Sequence, residues 1–526
     1  MVASLCLTAL SAPVVAQVSV SAMPPTATSE VAPASLQPED GVVRLTLQEA
    51  LRLGLQNNLS LSIERYNRAQ AEQRILANLG IFDLFGSGGL EYTDAEGTSV
   101  TRGSASQSKS TGLSVGLDQL FRTGTSLDFV LDAGKSESDS EFSFLNPSYG
   151  SSATVGVSQP LLRNFGRSVT EKNLIVARIS RDSSVQDFEA QVTQVMQNVE
   201  NAYWTLVEAQ AQLEVAEQSL SLAKELDQMN RVRVDVGTLA PLELVSSEAG
   251  IAGREGDIIS AQAAVGDAED QLRRLLNVPS GELWEKSIVA VTEAETPPPA
   301  VVVDESIRLA LENRPELEQQ RLLLKTREVE VSFNRNQALP RVDLRGTVKF
   351  AGAAGRGQIV DPLTGQTISL DTNLGDALEQ VIKRDFPTYT LGVSVSMPFQ
   401  NRAARANLTL AQLELEKARY QMRDLESLVT TEVRTAARAV DSAAKVVEAA
   451  KASRRLQEKN LDAERKRYEN GMSTSFQVLQ IQEDVTSARS NLVRALSNYR
   501  RAIVSYYTAV GQLLTHNGVE IAEAAN

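Results

Sequence analysis

From Val185 to Ala223 apolar residues recur in three-four alternation: Val185, Phe188, Val192, Val195, Val199, Ala202, Leu206, Ala209, Leu213, Ala216, Leu220 and Ala223, with no interior Pro or Gly. A 3.5-residue period held this long predicts a helix that wraps along neighbours as a coiled coil, because a surface helix of a compact domain usually ends after three or four turns. Helical from about Val169 to Val232, it is roughly 60 residues and on the order of 90 Å long. Such a helix needs partners of similar length. Ile258, Ala261, Val265, Ala268, Leu272 and Leu275 return after the turn Val236-Gly237-Thr238. Met422, Leu425, Val429, Val433, Ala436, Val440, Ala443, Val447 and Ala450 form another seam. After Asn470-Gly471, Ile481, Val485, Ala488, Leu492, Ala495, Tyr499, Ala502, Tyr506, Ala509 and Leu513 carry it back. Two long antiparallel hairpins follow, with Gly237 and Gly471 where a left-handed residue ends a helix cheaply.

Other segments alternate with period two. Arg341 to Phe350 sets Val342, Leu344, Val348 and Phe350 against Asp343, Arg345 and Lys349, and Leu391 to Met397 sets Val393 and Val395 against Ser394 and Ser396. Leu84 to Thr93 and Ala153 to Gln159 are the earlier equivalents, with an additional pair, Leu113 to Leu117 and Leu127 to Leu131, around Arg122-Thr-Gly124. Strands with one apolar face, joined by long polar connections such as Thr93 to Ser110 and Lys135 to Gly150, suit a transmembrane β-barrel; a soluble sandwich is the alternative on strands alone.

The chain repeats itself. Leu47 to Leu61 aligns with Val303 to Leu317 at an offset of 256, matching Glu49, Arg52, Leu53, Leu55, Asn57 and Leu61 to Glu305, Arg308, Leu309, Leu311, Asn313 and Leu317. Leu79, Asp83, Leu84 and Gly86 match Leu339, Asp343, Leu344 and Gly346, and Arg233 and Gly237 match Arg467 and Gly471. Thr46 and Glu49 have capping-box spacing ahead of a helix expected to break near Asn57-Asn58 and resume to about Asn78. The expected organisation is a signal peptide (1–16), a Pro/Ser/Thr-rich flexible lead-in (17–43), a first repeat (44–290; strands 84–160, hairpin 169–277), a Pro-rich linker (291–300), a second repeat (301–515; strands 341–397, hairpin 402–514) and a tail (516–526). The basic residue expected near the start of a signal peptide is absent, which leaves the true start codon open.

Composition narrows the function. With 66 acidic against 52 basic residues and no basic block carrying aromatics, nucleic-acid binding is not expected. Cys6 is the only cysteine and His516 the only histidine, the latter read as solvent-facing near a fraying terminus, so zinc clusters and His-assisted nucleophiles lack material. No cofactor, metal or catalytic site is expected, and no glycine-rich phosphate loop or nucleophile elbow appears. No apolar run of 18 residues follows the leader, so transmembrane helices are not expected, while strands remain possible membrane elements. Aromatics are 5% of the chain and many seam positions are Ala, which suits close helix packing in a tube or bundle.

This duplicated order resembles the outer-membrane efflux protein family, the TolC-like channels. The resemblance rests on the openings Leu45-Thr-Leu-Gln-Glu-Ala-Leu and Ser306-Ile-Arg-Leu-Ala-Leu-Glu-Asn, the junctions Val155-Gly-Val-Ser-Gln-Pro160 and Val393-Ser-Val-Ser-Met-Pro398, and the tips at Val236 and Asn470. It implies a mainly α fold with transmembrane β: helical hairpins forming an α-barrel in the periplasm and a β-barrel shared by a homotrimer in outer-membrane lipid. It further implies a passive duct, not an enzyme, of a tripartite efflux or type I secretion system, working with a periplasmic adaptor and an inner-membrane transporter. The family pattern is four strands per chain, so the pair between Leu113 and Leu131 leaves four or six open. The tips Val236, Gly237, Thr238, Asn470, Gly471 and Met472 are the implied adaptor contacts. Acidic rings would be expected six and nine residues after Gly471, yet Gln477 and Gln480 stand there, with Glu243 and Ser246 in the first copy. A constriction of lower charge is expected, with Glu243 its ion-sensitive group. A secreted or surface coiled coil without a pore is the alternative.

Overall fold

A computed structural model describes residues 42–97, 107–140, 143–278, 284–291, 301–360 and 366–519. The expected signal peptide, nearly all of the lead-in, linker residues 292–300 and tail residues 520–526 lie outside them. The first repeat contains β1 (Val42–Leu45), α1 (Leu47–Asn57), α2 (Leu59–Leu79), β2 (Phe85–Glu96), β3 (Gln107–Leu120), β4 (Ser126–Ser138), β5 (Ser148–Pro160), α3 (Arg167–Thr170), α4 (Lys172–Asp235), α5 (Pro241–Leu276) and β6 (Ser287–Ala290). The second contains α6 (Val303–Asn313), α7 (Pro315–Gln337), β7 (Arg341–Val360), β8 (Thr367–Asp371), α8 (Leu374–Lys383), β9 (Phe386–Ser396), α9 (Arg402–Glu469), α10 (Ser475–Val510) and α11 (Leu513–His516).

The 256-residue offset is visible in the elements. α1 and α6, α2 and α7, and β2 and β7 each begin 256 residues apart. Thr46 caps α1 through the expected box: its hydroxyl accepts from the Glu49 N–H, and the Glu49 carboxylate accepts from the Thr46 N–H. α1 stops at Asn57, and Asn58 restarts the chain by accepting from the Ser60 N–H.

α4 spans 64 residues, about 95 Å. Four long helices lie side by side in the order α5, α4, α10, α9, with α2 and α7 alongside. The α10 seam is buried much as its spacing predicts, at Val485, Ala488, Leu492, Ala495, Tyr506 and Ala509. On α4 the expected seam holds from Val192 to Leu206 and then turns: Ala209, Leu213, Ala216 and Leu220 are half-buried, while Val215, Ser219, Leu226 and Asn230 face inward together with Ala223, the one later member of the expected seam that is buried. A helix with a neighbour on each side carries two seams, and a single three-four register follows only one. The row has open edges. α9 leaves Leu410, Leu413, Tyr420, Leu428, Val446 and Leu456 exposed, and α5 leaves Leu242, Val245 and Ile259 exposed.

Where the repeats meet, β1 and β6 form a parallel pair covered by α4; the Tyr203 hydroxyl bonds the Leu45 and Val291 carbonyls at 3.1 and 2.8 Å. Nearby, Glu200 of α4 is buried, and burial pushes its carboxyl up to about 7 against smaller opposing effects of Asn517 and Arg500. Because the folded chain holds this proton more tightly than the unfolded chain, the group's stability contribution is fully present below pH 4.5 and is lost as pH rises toward 7. Glu200→Gln is therefore expected to gain up to about 3 kcal/mol relative to the parent between pH 5 and pH 8. Melting curves of both proteins at the two pH values check this, and parallel pH dependence would remove the assignment. His516 is exposed as expected but not at a fraying end, since its ring stacks on Tyr507 with centroids 3.8 Å apart.

The sheet runs β2-β3-β4-β5-β7, with β9 pairing the first half of β7 and β8 its far end. All six expected strands exist, and the additional pair is β3 and β4. Residues 93–96, 107–110, 135–138 and 148–150, read as parts of polar connections, belong to strands instead; antiparallel partners satisfy their backbone despite polar side chains. In-register rows put the apolar residues on one face: Leu117, Phe129, Val155, Val348 and Tyr389 form one row, and Val115, Leu131, Ala153 and Phe350 the next. The opposite face carries Asp118, Asp128, Thr347 and Thr390. Beyond the apolar band α8 lies against the same face. Gly352 permits this, because a Cβ there would collide with the Ala377 carbonyl. Gln380 replaces a strand partner for Ala353, accepting from its N–H at 3.0 Å and donating to its carbonyl at 3.1 Å.

Candidate functional site

At the end of the helices remote from the sheet, both hairpins close in the same way. Gly237 and Gly471 each have φ 75°. Around them the Thr238 N–H bonds the Arg233 carbonyl at 2.9 Å, and the Met472 N–H bonds the Arg467 carbonyl at 2.8 Å, satisfying orphan helix carbonyls. Val236, Gly237, Thr238, Asn470, Gly471 and Met472 are all exposed on the tips. Pro241 starts α5, and Thr474 caps α10 by accepting from the Gln477 N–H.

The two tips are joined to each other. Leu226 of α4, Leu461 and Tyr468 of α9, and Val478 and Val485 of α10 form one apolar cluster. Above it the Arg233 guanidinium stacks 4.2 Å from the Tyr468 ring centre and donates to the Tyr468 and Glu469 carbonyls at 2.6 and 3.0 Å. The buried Tyr468 hydroxyl donates to Asn230 Oδ1 at 2.5 Å. Asn230 is fully buried and its Nδ2 has no hydrogen-bond partner, so the amide is held by one side only. Within the first hairpin, Asp227 receives Arg231 at 2.7 Å and Ser247 at 2.6 Å. Burial raises this carboxyl, but the two donors and the Arg231 charge outweigh it and hold it below the usual range.

Glu243, in the first turn of α5, accepts a hydrogen bond from the buried Ser475 hydroxyl at the start of α10. It is half-buried, whereas Ser246, Gln477 and Gln480 are exposed. The structure thus brings Glu243 against the second hairpin and leaves the other three at the surface near it. The sequence reading missed Asn230, Arg233 and Tyr468 as joining residues. One signal pointed that way, the match of Arg233 with Arg467; their carbonyls serve the same turn, but Arg467 pairs within its own helix to Glu464 at 3.2 Å.

Long helices in a row, a sheet with one continuous apolar face and hairpins tied at their tips define a channel-forming envelope protein. The chain belongs to the outer membrane efflux protein family, matching it over residues 124–278 and 306–512. In the second repeat the match begins within the first turn of α6 and covers every strand, whereas in the first it begins at the turn before β4, leaving β2 and β3 outside. Among solved structures the chain is similar to the outer-membrane channel OprN, with TM-score 0.65 and 16% identity over 89% of this chain and 90% of that one. It is also similar to the Campylobacter jejuni CmeC outer membrane channel (TM-score 0.63, 18% identity, 91% and 87% covered) and to the open state of the Neisseria gonorrhoeae MtrE outer membrane channel (0.60, 18%, 89% and 89%). No curated protein sequence matches it significantly. At these identities the structures establish the fold, and family membership establishes an outer-membrane efflux channel with a helical periplasmic part. The family is one of ducts, not enzymes. Among the described residues no helix is long and apolar enough to cross a membrane.

Proposed function

We propose that three copies of the chain close into one passive duct of a tripartite efflux or type I secretion system, receiving cargo from an inner-membrane transporter through a periplasmic adaptor. The observation that carries this reading is the pair of open edges: the helical row ends in exposed apolar side chains on α5 and α9, and the sheet ends in β2 and β9, exposed along their whole lengths. Lipid tolerates no unpaired strand edge, so identical neighbours must complete both layers. The exposed tips Val236, Gly237, Thr238, Asn470, Gly471 and Met472 are the adaptor contacts of this proposal, and Glu243, Ser246, Gln477 and Gln480 its constriction. A cleaved signal peptide over residues 1–16 delivers the chain.

Electron microscopy of the detergent-purified protein tests the reading. Three-fold particles with a hollow stalk of about 100 Å are expected; solid rods, or monomers released without detergent, would leave a structural coiled coil as the better account. In planar bilayers, Glu243→Gln is expected to weaken cation preference, since it removes the one carboxylate among the four constriction residues. Unchanged selectivity would take Glu243 out of the constriction.

A further inference from the structure

We infer that β3 and β4 are part of the membrane wall, so that each chain supplies six strands and three chains enclose an outlet of eighteen, too wide to sieve cargo by size. The inference rests on the trimeric duct proposed above. The repeats locate the departure: β2 corresponds to β7, β5 and β9 both lead into the long helices, and β3 and β4 are inserted between β2 and β5.

Two observations place the inserted pair in the wall instead of in an extracellular flap. Unbroken ladders run from β2 through β3 and β4 to β5, so β2 has no direct contact with β5 to close a four-strand sheet. The apolar row also continues through them without a gap: Leu117 and Phe129 lie between Gly86 of β2 and Val155 of β5. On the other face the sheet curls around an open hollow of about 760 Å³, lined by Glu91, Ser114, Asp132, Ser152 and Lys349. A flap outside the lipid would have no reason to carry a continuous apolar band, Leu113, Val115 and Leu117 beside Phe129, Leu131 and Ala133, on one face and Asp118, Asp128 and Asp132 on the other.

At a strand spacing of about 4.8 Å and a tilt near 40°, eighteen strands give a backbone radius of about 18 Å, against about 12 Å for twelve. Cross-section rises about twofold. Size selection then falls to the tied helix tips, and bulky hydrated cargo that passes them meets no second barrier at the membrane.

Tryptophan placed on adjacent residues of β3 tests the wall assignment in the full-length protein in bilayers containing brominated phosphatidylcholine. Val115→Trp, and independently Phe129→Trp, should lose at least about half of the added fluorescence, while Ser114→Trp should lose little. The native Trp204 and Trp284 lie outside the barrel strands and supply a constant background. Equal response at positions 114 and 115 would overturn the proposal. Deleting Gln107–Ser138 should narrow the membrane end in electron micrographs by about a third, and an unchanged diameter would equally overturn it. If the deletion fails to assemble, the tryptophan contrast decides. That contrast is read within one chain, so particles lacking three-fold symmetry would sink the trimer while leaving the assignment of β3 and β4 to be judged separately.

Discussion

Arg233→Ala combined with Tyr468→Phe is expected to raise time-averaged conductance in planar bilayers at least tenfold. The double variant removes the two guanidinium–carbonyl bonds, the stack of Arg233 on Tyr468 and the hydroxyl bond to Asn230, which together tie the end of α4 to the end of α9. Hydrogen bonds from a charged donor contribute about 1.5–3 kcal/mol each, and a partly desolvated cation–π contact about 1–2 kcal/mol. These are not additive within one cluster, and the released groups recover some water. A net loss of about 3 kcal/mol is still more than a hundredfold in the balance between tied and parted tips. Tyr468→Phe alone loses one bond and should raise conductance only severalfold. The apolar contacts of Leu226, Leu461, Val478 and Val485 are untouched, so the helices should melt within a few degrees of the parent. A large fall in melting temperature with unchanged conductance would make this cluster a stabilising contact and not a gate.

The difference between what the sequence shows and what it hides follows from periodicity. The repeat offset, the break at Asn57-Asn58 and the turns at Gly237 and Gly471 depend on local residues and appear where expected. Strands were legible where one face is apolar. Their outer ends were not, because residues such as Lys109 and Glu137 pair with each other across the ladder and carry no alternation of hydrophobicity. The turning of the α4 seam after Leu206 needs knowledge of a second neighbour. The tie between Arg233 and Tyr468 spans 235 residues and uses backbone carbonyls as acceptors, which no side-chain pattern announces. Glu243 was legible as a tip residue, yet its pairing with Ser475 depends on how two hairpins meet.

Leu391→Arg is expected to abolish assembly in the membrane, while Thr390→Arg, one residue away, is expected to be tolerated. Leu391 lies near the middle of β9, is 80% exposed in the single chain and points to the same face as Tyr389 and Val393. If that face meets lipid, an arginine at the bilayer midplane costs about 2–4 kcal/mol in each chain, and three chains bear it together. Thr390 points to the other face, opposite Thr347, where the lumen supplies water and a new cation needs no partner. β9 is also an edge strand, so the cost falls on the strand that must find a neighbouring chain. Folding into bilayers followed by urea titration, with the fraction of heat-resistant trimer as a second readout, measures both variants. Equal loss in the two would mean that the sheet is enclosed on both faces, as in a soluble sandwich. A reversed order would turn the barrel inside out and place the charged residues Asp128, Asp343 and Lys349 in lipid. The charges on that face, set against an unbroken apolar row on the other, make the first order the one the physics allows.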